Sequence, residues 1–242
     1  MAAALIADAG RATHGLCIVV PVLDEAPRIG SLLARLQPMR ERGVRIVVAD
    51  GGSRDASAEI ARAGADRVLV APRGRASQMN AGAACCTAAI VLFLHADTVL
   101  PEDGDRHVLE AVARGARWGR FDVRIDDRRA VFRVVESMMN LRSRLTGVAT
   151  GDQAIFVRRD LFESVGGYPA IALMEDVALA KALRRHGRCA CLRARVVTSA
   201  RRWNRHGVWR TIALMWWLRA AYFLGADPSR LAARYASDQG DR

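Results

Sequence analysis

The sequence predicts an α/β fold in which a mostly parallel central sheet is covered by helices on both faces. Two observations carry that expectation. Apolar runs of strand length alternate with helix-period segments from Leu16 to Asp97, which is the rhythm of βαβ units. Three of the apolar runs also end in acidic or glycine-rich residues, at Leu23-Asp24-Glu25, Asp50-Gly51-Gly52-Ser53 and His95-Ala96-Asp97, so three strand ends converge on one crevice. A chain of 242 residues with 51% apolar content suits one domain with a substantial core.

Taken in order, strands are expected at Leu16 to Val22, Arg45 to Ala49, Arg67 to Val70 and Ile90 to Leu94. Helices fall between them, near Arg28 to Arg40, Ser57 to Ala63 and Ser77 to Thr87. After Asp97 the rhythm loosens into a helix near Asp105 to Arg114, a strand near Trp118 to Ile125, a long helix near Arg129 to Leu145 and a strand near Gln153 to Val157. A further helix starts at Glu175-Asp176, whose charges complement its dipole, and stops at Gly187 after Arg184-Arg185-His186. The expected organisation is one domain over 16–242, with a regular half at 16–100, a mixed half at 101–205, C-terminal helices at 206–235 and a flexible N-terminus at 1–15.

The formal charge of +12 and a pI near 10.9 fit two readings equally, attraction of anions such as nucleotides, nucleic acid or acidic lipid headgroups, and high arginine usage in the genome, since arginine is spread along the whole chain. No zinc-finger spacing or RNP-like aromatic strand accompanies that charge, so nucleic acid is not expected as a partner. Asp8 interrupts the only apolar run near the N-terminus and no basic residue precedes it, unlike a secretory signal, so the expected location is cytoplasmic. Five cysteines, Cys17, Cys85, Cys86, Cys189 and Cys191, form no CxxC pair, which suits reduced thiols better than a disulfide framework.

The ordered set Glu25, Asp50-Gly51-Gly52-Ser53, Arg73-Gly74-Arg75, Gln78-Met79-Asn80-Ala81-Gly82 and His95-Ala96-Asp97 resembles the inverting family 2 glycosyltransferases, which have the Rossmann-like GT-A fold. Within that family the Val-Ala-Asp-Gly-Gly-Ser start is most similar to the small bacterial subgroup labelled arsenosugar-biosynthesis-associated glycosyltransferases. The resemblance implies transfer of one sugar from a nucleotide sugar, a UDP-hexose first among candidates, to a small-molecule or lipid acceptor. Pro21, Glu25 and Asp50 would then line the base and ribose pocket, and Arg75 and Asn80 would hold the nucleotide side of the donor. Asp97 matches the last Asp of the family's DxD motif and would bind Mg²⁺ or Mn²⁺ bridging the two phosphates. Here His95 replaces the first Asp, either as a structural side chain or as a ligand better tolerated by Mn²⁺.

On the acceptor side, Gly151-Asp152-Gln153 and Met174-Glu175-Asp176 resemble the family's later motifs, which makes Asp152 and Gln153 acceptor-binding candidates. Asp176 is the expected catalytic base, with Glu175 positioning it or the acceptor. Ser199-Ala200-Arg201-Arg202-Trp203 is similar to the QxxRW motif of processive members, with Ser199 at the Gln position. That departure argues against a polymer synthase, while Arg202 remains a candidate for the leaving diphosphate and Trp203 for the acceptor. A final helix over Val208 to Leu224, with Trp209, Trp216 and Trp217 between arginines, suits an interfacial helix on the inner face of a membrane or a packed structural helix. Two further readings remain, a nucleotide-sugar-binding protein without transfer activity and a basic nucleic-acid-binding protein.

Overall fold

In a computed structural model the described residues are 15–239, so most of the expected N-terminal tail and the last three residues lie outside them. Strand β1 (Leu16–Val22) is buried along its whole length. It pairs in parallel with β2 (Arg45–Asp50) on one side and β4 (Ile90–Phe93) on the other, while β3 (Arg67–Val70) extends the sheet beyond β2. Side chains alternate across β1: Leu16, Ile18, Val20 and Val22 join one core, whereas Cys17 and Val19 join the other. A strand buried on both faces has no polar side, which is why this run reads as continuously apolar.

Helix α1 (Ala26–Glu41) buries Ile29, Leu32, Leu33, Leu36 and Met39, a helical stripe that covers the first face of the sheet. A proline in its first turn suits a position whose N–H needs no intrahelical partner. Helix α2 (Ser57–Gly64) packs beside it, and α3 (Arg75–Ala84) covers the opposite face through Met79 and Ala83. Gly82 is required there, because a Cβ would lie 2.3 Å from Val19 Cγ1.

The second half completes one mixed, eight-stranded sheet of order β3-β2-β1-β4-β7-β6-β8-β5. It adds the two-residue β5 (Thr98–Val99), α4 (Gly104–Ala113), β6 (Trp118–Asp126), α5 (Ala130–Thr146), β7 (Phe156–Arg158) and α6 (Arg159–Ser164). Helix α7 (Glu175–Leu183), β8 (Ala190–Ser199), α8 (Arg201–His206), α9 (Val208–Phe223) and α10 (Pro228–Gln239) follow. Strand β7 runs antiparallel to both β4 and β6, and β5 antiparallel to β8. This reversal sets the Gly151 to Gln153 turn beside the carboxyl end of β4, and the start of α7 beside that turn.

The expectation of reduced cysteines is corrected for one pair: Cys17 and Cys86 form a disulfide, with Cα atoms 6.2 Å apart. Their separation of 69 residues leaves no spacing signal, since β1 and the segment after α3 meet only through the fold. Cys85, Cys189 and Cys191 are free thiols. No helix among the described residues is long and apolar enough to cross a membrane.

Candidate active site

At the carboxyl ends of β1 and β4, Pro21, Val22, Leu23, Glu25, Arg73, Gly74, Arg75, Gln78, His95, Ala96 and Asp97 enclose a cavity of about 240 Å³. Gln78 closes its floor by donating from Nε2 to the carbonyls of Val22 (2.7 Å) and Ala49 (2.9 Å), locking α3 to two strand ends. Glu25 stands at the start of α1, paired with Arg28 at 2.5 Å and, from α8, with Arg201 at 3.6 Å.

Beyond the cavity, Glu175 and Asp176 open α7, where the unpaired N–H groups of a helix start favour carboxylates. Asp176 accepts from the backbone N–H of Gly151 (2.8 Å, Oδ2) and of Val177 (2.7 Å, Oδ1), which fixes its carboxylate. Gly151 in turn lies against His95: a Cβ there would sit 2.3 Å from Nε2. One glycine therefore joins the β4 strand end to the acidic pair. Arg75 bridges the two halves. It keeps a solvent-exposed face yet lies deep in the cleft, where Glu175, Tyr235, Asp152 and Asp176 outweigh desolvation and raise its pKa. Burial first, and the Arg75 charge second, lower the His95 pKa, so the imidazole is neutral at pH 7.

Residues 17–166 match the family model described as "Glycosyl transferase family 2". The chain belongs to glycosyl transferase family 2. No curated protein matches it. S. aureus TarS 1–349 in complex with UDP superimposes with a TM-score of 0.64 at 18% identity, over 76% of this chain and 60% of that one. Mannosyltransferase PcManGT from Pyrobaculum calidifontis, in complex with GDP-Man and Mn²⁺, gives 0.61 at 19% identity over 86% and 61%. Glucosyl-3-phosphoglycerate synthase from Mycobacterium tuberculosis, in complex with Mn²⁺, UDP and phosphoglyceric acid, gives 0.55 at 20% over 76% and 69%. The chain thus spans about 60% of the TarS fragment, and the shared architecture is the GT-A fold.

Within this family 2 framework the structure gathers Pro21, Glu25, Arg75, His95 and Asp97 at one strand-end cavity, with the charges of Glu175, Asp152 and Asp176 acting on Arg75. Other candidates lie elsewhere. Asp50 is buried in its own turn, where it accepts from the N–H groups of Gly52 and Ser53 at 3.0 Å and from the Ser53 hydroxyl. It does not line the cavity. Asn80 clasps the backbone of Tyr168 instead, donating to its carbonyl (2.8 Å) and accepting from its N–H (2.9 Å). Gln153 is fully buried as the third residue of a capping box with Thr150.

Trp203 packs edge-on against Phe132, centroids 6.0 Å apart, in a satellite core. Of the two arginines before it, Arg201 reaches Glu25, while Arg202 lies over the Tyr235 ring at 5.2 Å. Sequence reasoning missed Tyr235, Arg142 and Arg219. Arg219 had a readable signal, as the single charged residue between Thr211 and Ala226.

Burial, then the Asp176 charge, pushes Glu175 up to about 7. The folded state holds this proton more tightly than the unfolded chain does. Its stability contribution is therefore fully present below pH 4.5 and lost as pH rises through about 7. Between about pH 5 and about pH 8 the thermal midpoint of the wild type is expected to fall relative to that of Glu175→Gln. Parallel midpoint curves would show that Glu175 titrates normally.

Proposed function

We propose that this family 2 chain is an inverting glycosyltransferase that moves one sugar from a nucleotide-sugar donor, a UDP-hexose first among candidates, to a hydroxyl or carboxyl acceptor. The observation that supports it most is the placement of a strand-end cavity carrying Glu25, Arg73, Arg75 and Asp97 next to an acidic pair in which Glu175 is buried and Asp176 is fixed by Gly151. That relatives of this fold were solved with UDP, UDP-GlcNAc or GDP-Man supports the donor class. The subgroup resemblance supports a single-sugar transferase and leaves the acceptor to chemistry.

Inversion needs the acceptor oxygen to attack the anomeric carbon from the side opposite the leaving diphosphate. Asp176 removes the acceptor's proton as that bond forms, and its two backbone N–H partners hold the carboxylate in one orientation. Arg73 and Arg75 offset charge that develops on the diphosphate. Among the described residues no group of three or more His, Cys, Asp and Glu is arranged to hold a metal ion. Asp97, which lines the cavity and pairs with no cationic side chain among the described residues, fits a divalent ion that takes its remaining ligands from phosphate and water, with His95 alongside. Bound there, Mg²⁺ or Mn²⁺ would neutralise diphosphate charge.

Calorimetric titration with UDP, UDP-glucose, GDP-mannose and a dTDP-sugar, with and without Mn²⁺, tests this reading. One donor is expected to bind about tenfold more tightly with Mn²⁺, and Asp97→Asn to remove that gain. Absence of binding to all four would overturn it.

The acceptor side also carries a surface suited to an anionic bilayer. On α9, Trp209, Ala213, Trp216, Ala220 and Phe223 are exposed along one stripe. No acidic residue occurs from Val177 to Ala226, whereas Arg201, Arg202, Arg205 and Arg210 flank that stripe. Co-sedimentation is expected with vesicles containing phosphatidylglycerol and not with pure phosphatidylcholine, and Trp209→Ser with Trp216→Ser should abolish it. Equal binding to both vesicles, or dimerisation through this face in solution, would refute a bilayer partner.

A further inference from the structure

Two arginines outside the donor cavity come within reach of the charges of Asp176 and Asp152. Arg142 comes from α5 and Arg219 from α9. The two helices are held together where Phe132 and Val135 meet Val208 and Ile212, and where Val148, just beyond α5, packs with Leu218. Neither arginine lines the donor cavity. The carboxylate charges that reach both of them are those of Asp176 and Asp152.

Arg142 has two buried donors, Nε and Nη2, without a hydrogen-bond partner. Arg219 is half-buried and makes no side-chain hydrogen bond or ion pair among the described residues. Burial, and then the Arg219 charge, push Arg142 down to about 10, and burial lowers Arg219 as well. Unpaired guanidinium donors taken out of water destabilise a fold, and two like charges side by side do so further. Elsewhere this chain satisfies a buried arginine. Arg120, fully buried, is paired with Asp122 and donates to Ser143 Oγ (2.9 Å) and to the Asn140 carbonyl (3.1 Å). The contrast separates an arginine that serves the fold from a pair left open for a ligand.

We propose that Arg142 and Arg219 form an anion subsite for the acceptor, which carries a carboxylate or phosphate group. The planar fork of each guanidinium matches the oxygens of such a group. An acceptor anchored there presents its hydroxyl to Asp176, while the donor occupies the cavity on the other side of Arg75. The assignment rests on the transferase reading of the site, with Asp176 as its base. The same headgroup chemistry occurs in soluble phosphate esters and in phospholipids.

The test is calorimetric titration of the full chain, saturated with UDP and Mn²⁺, with sn-glycerol 3-phosphate. Wild-type protein is expected to bind it without releasing UDP, and Arg142→Gln and Arg219→Gln each to weaken it about tenfold. With no ligand present both variants should melt higher than wild type, by about 2–4 °C, because an unsatisfied charge has gone. Binding that expels UDP would place the anion in the donor cavity. Undiminished binding in both variants, no binding to wild type, or melting several degrees below wild type would each overturn the subsite. Replacing the probe by dioctanoyl phosphatidic acid separates the sources, since tighter binding than glycerol 3-phosphate marks a lipid acceptor and equal binding a soluble one. UDP affinity, read in the same titrations, reports separately on the donor reading.

Discussion

Asp176→Asn is expected to lower sugar transfer by about 10³-fold while donor binding stays within about twofold, because the substitution removes a base and leaves the cavity untouched. The steric change is nil, and its local cost is one hydrogen bond. Asn has a single acceptor oxygen, so either the Gly151 or the Val177 N–H loses its partner, a loss of about 1 kcal/mol. Part of that is offset, since Asp176 is the largest charge raising Glu175 and its removal lets Glu175 ionise more easily. The thermal midpoint should therefore move little. A second carboxylate with a pKa near neutrality makes the comparison with Glu175→Gln decisive. If Glu175→Gln loses more activity than Asp176→Asn, the base is Glu175, and Asp176 orders the Gly151 turn.

The parts of this chain that were legible share a physical cause. Strands β1, β2 and β4 are buried from both sides, so their runs are apolar and end abruptly before the polar turns that carry Glu25, Asp50 and Asp97, whereas β3, at the sheet edge, is half-exposed. Glu175 and Asp176 were legible because acidic residues at a helix start carry a local signature. What escaped depends on contacts between distant segments. Nothing near Asn80 announces Tyr168, 88 residues away, and nothing near Cys17 announces Cys86. Arg201 and Arg202 are neighbours, yet one helical step turns the first toward Glu25 and the second toward Tyr235. Gln153 is engaged in a capping box and Trp203 packs at the edge of the satellite core, contacts that no local pattern announces. Short elements such as β5 exist only through the partner strand that pairs with them.

The same distinction between paired and unpaired arginines predicts the largest loss of stability. Asp122→Ala is expected to destabilise the fold by about 3–5 kcal/mol, because it strands the Arg120 guanidinium in the interior. Asp122 carries two partners, Arg120 at its own strand and Arg144 from α5, and both bonds vanish together. Arg120 keeps Ser143 Oγ and the Asn140 carbonyl, neither of which supplies a counter-charge. For a chain of this size that loss corresponds to a fall in thermal midpoint of roughly 6–20 °C. Arg120→Met combined with Asp122→Leu removes both charges, so the double variant should recover part of the loss, in keeping with the desolvation cost of a buried ion pair. The pair also fixes β6 against α5, the helix that brings Arg142 to the acidic pair, through Arg120 on Ser143 and Asn140 on Val123. Loss of anion affinity is accordingly expected in Asp122→Ala even at temperatures where it stays folded. A single variant that melts within about 2 °C of wild type would mean that water or another group compensates Arg120, and that α5 is positioned by its apolar contacts alone.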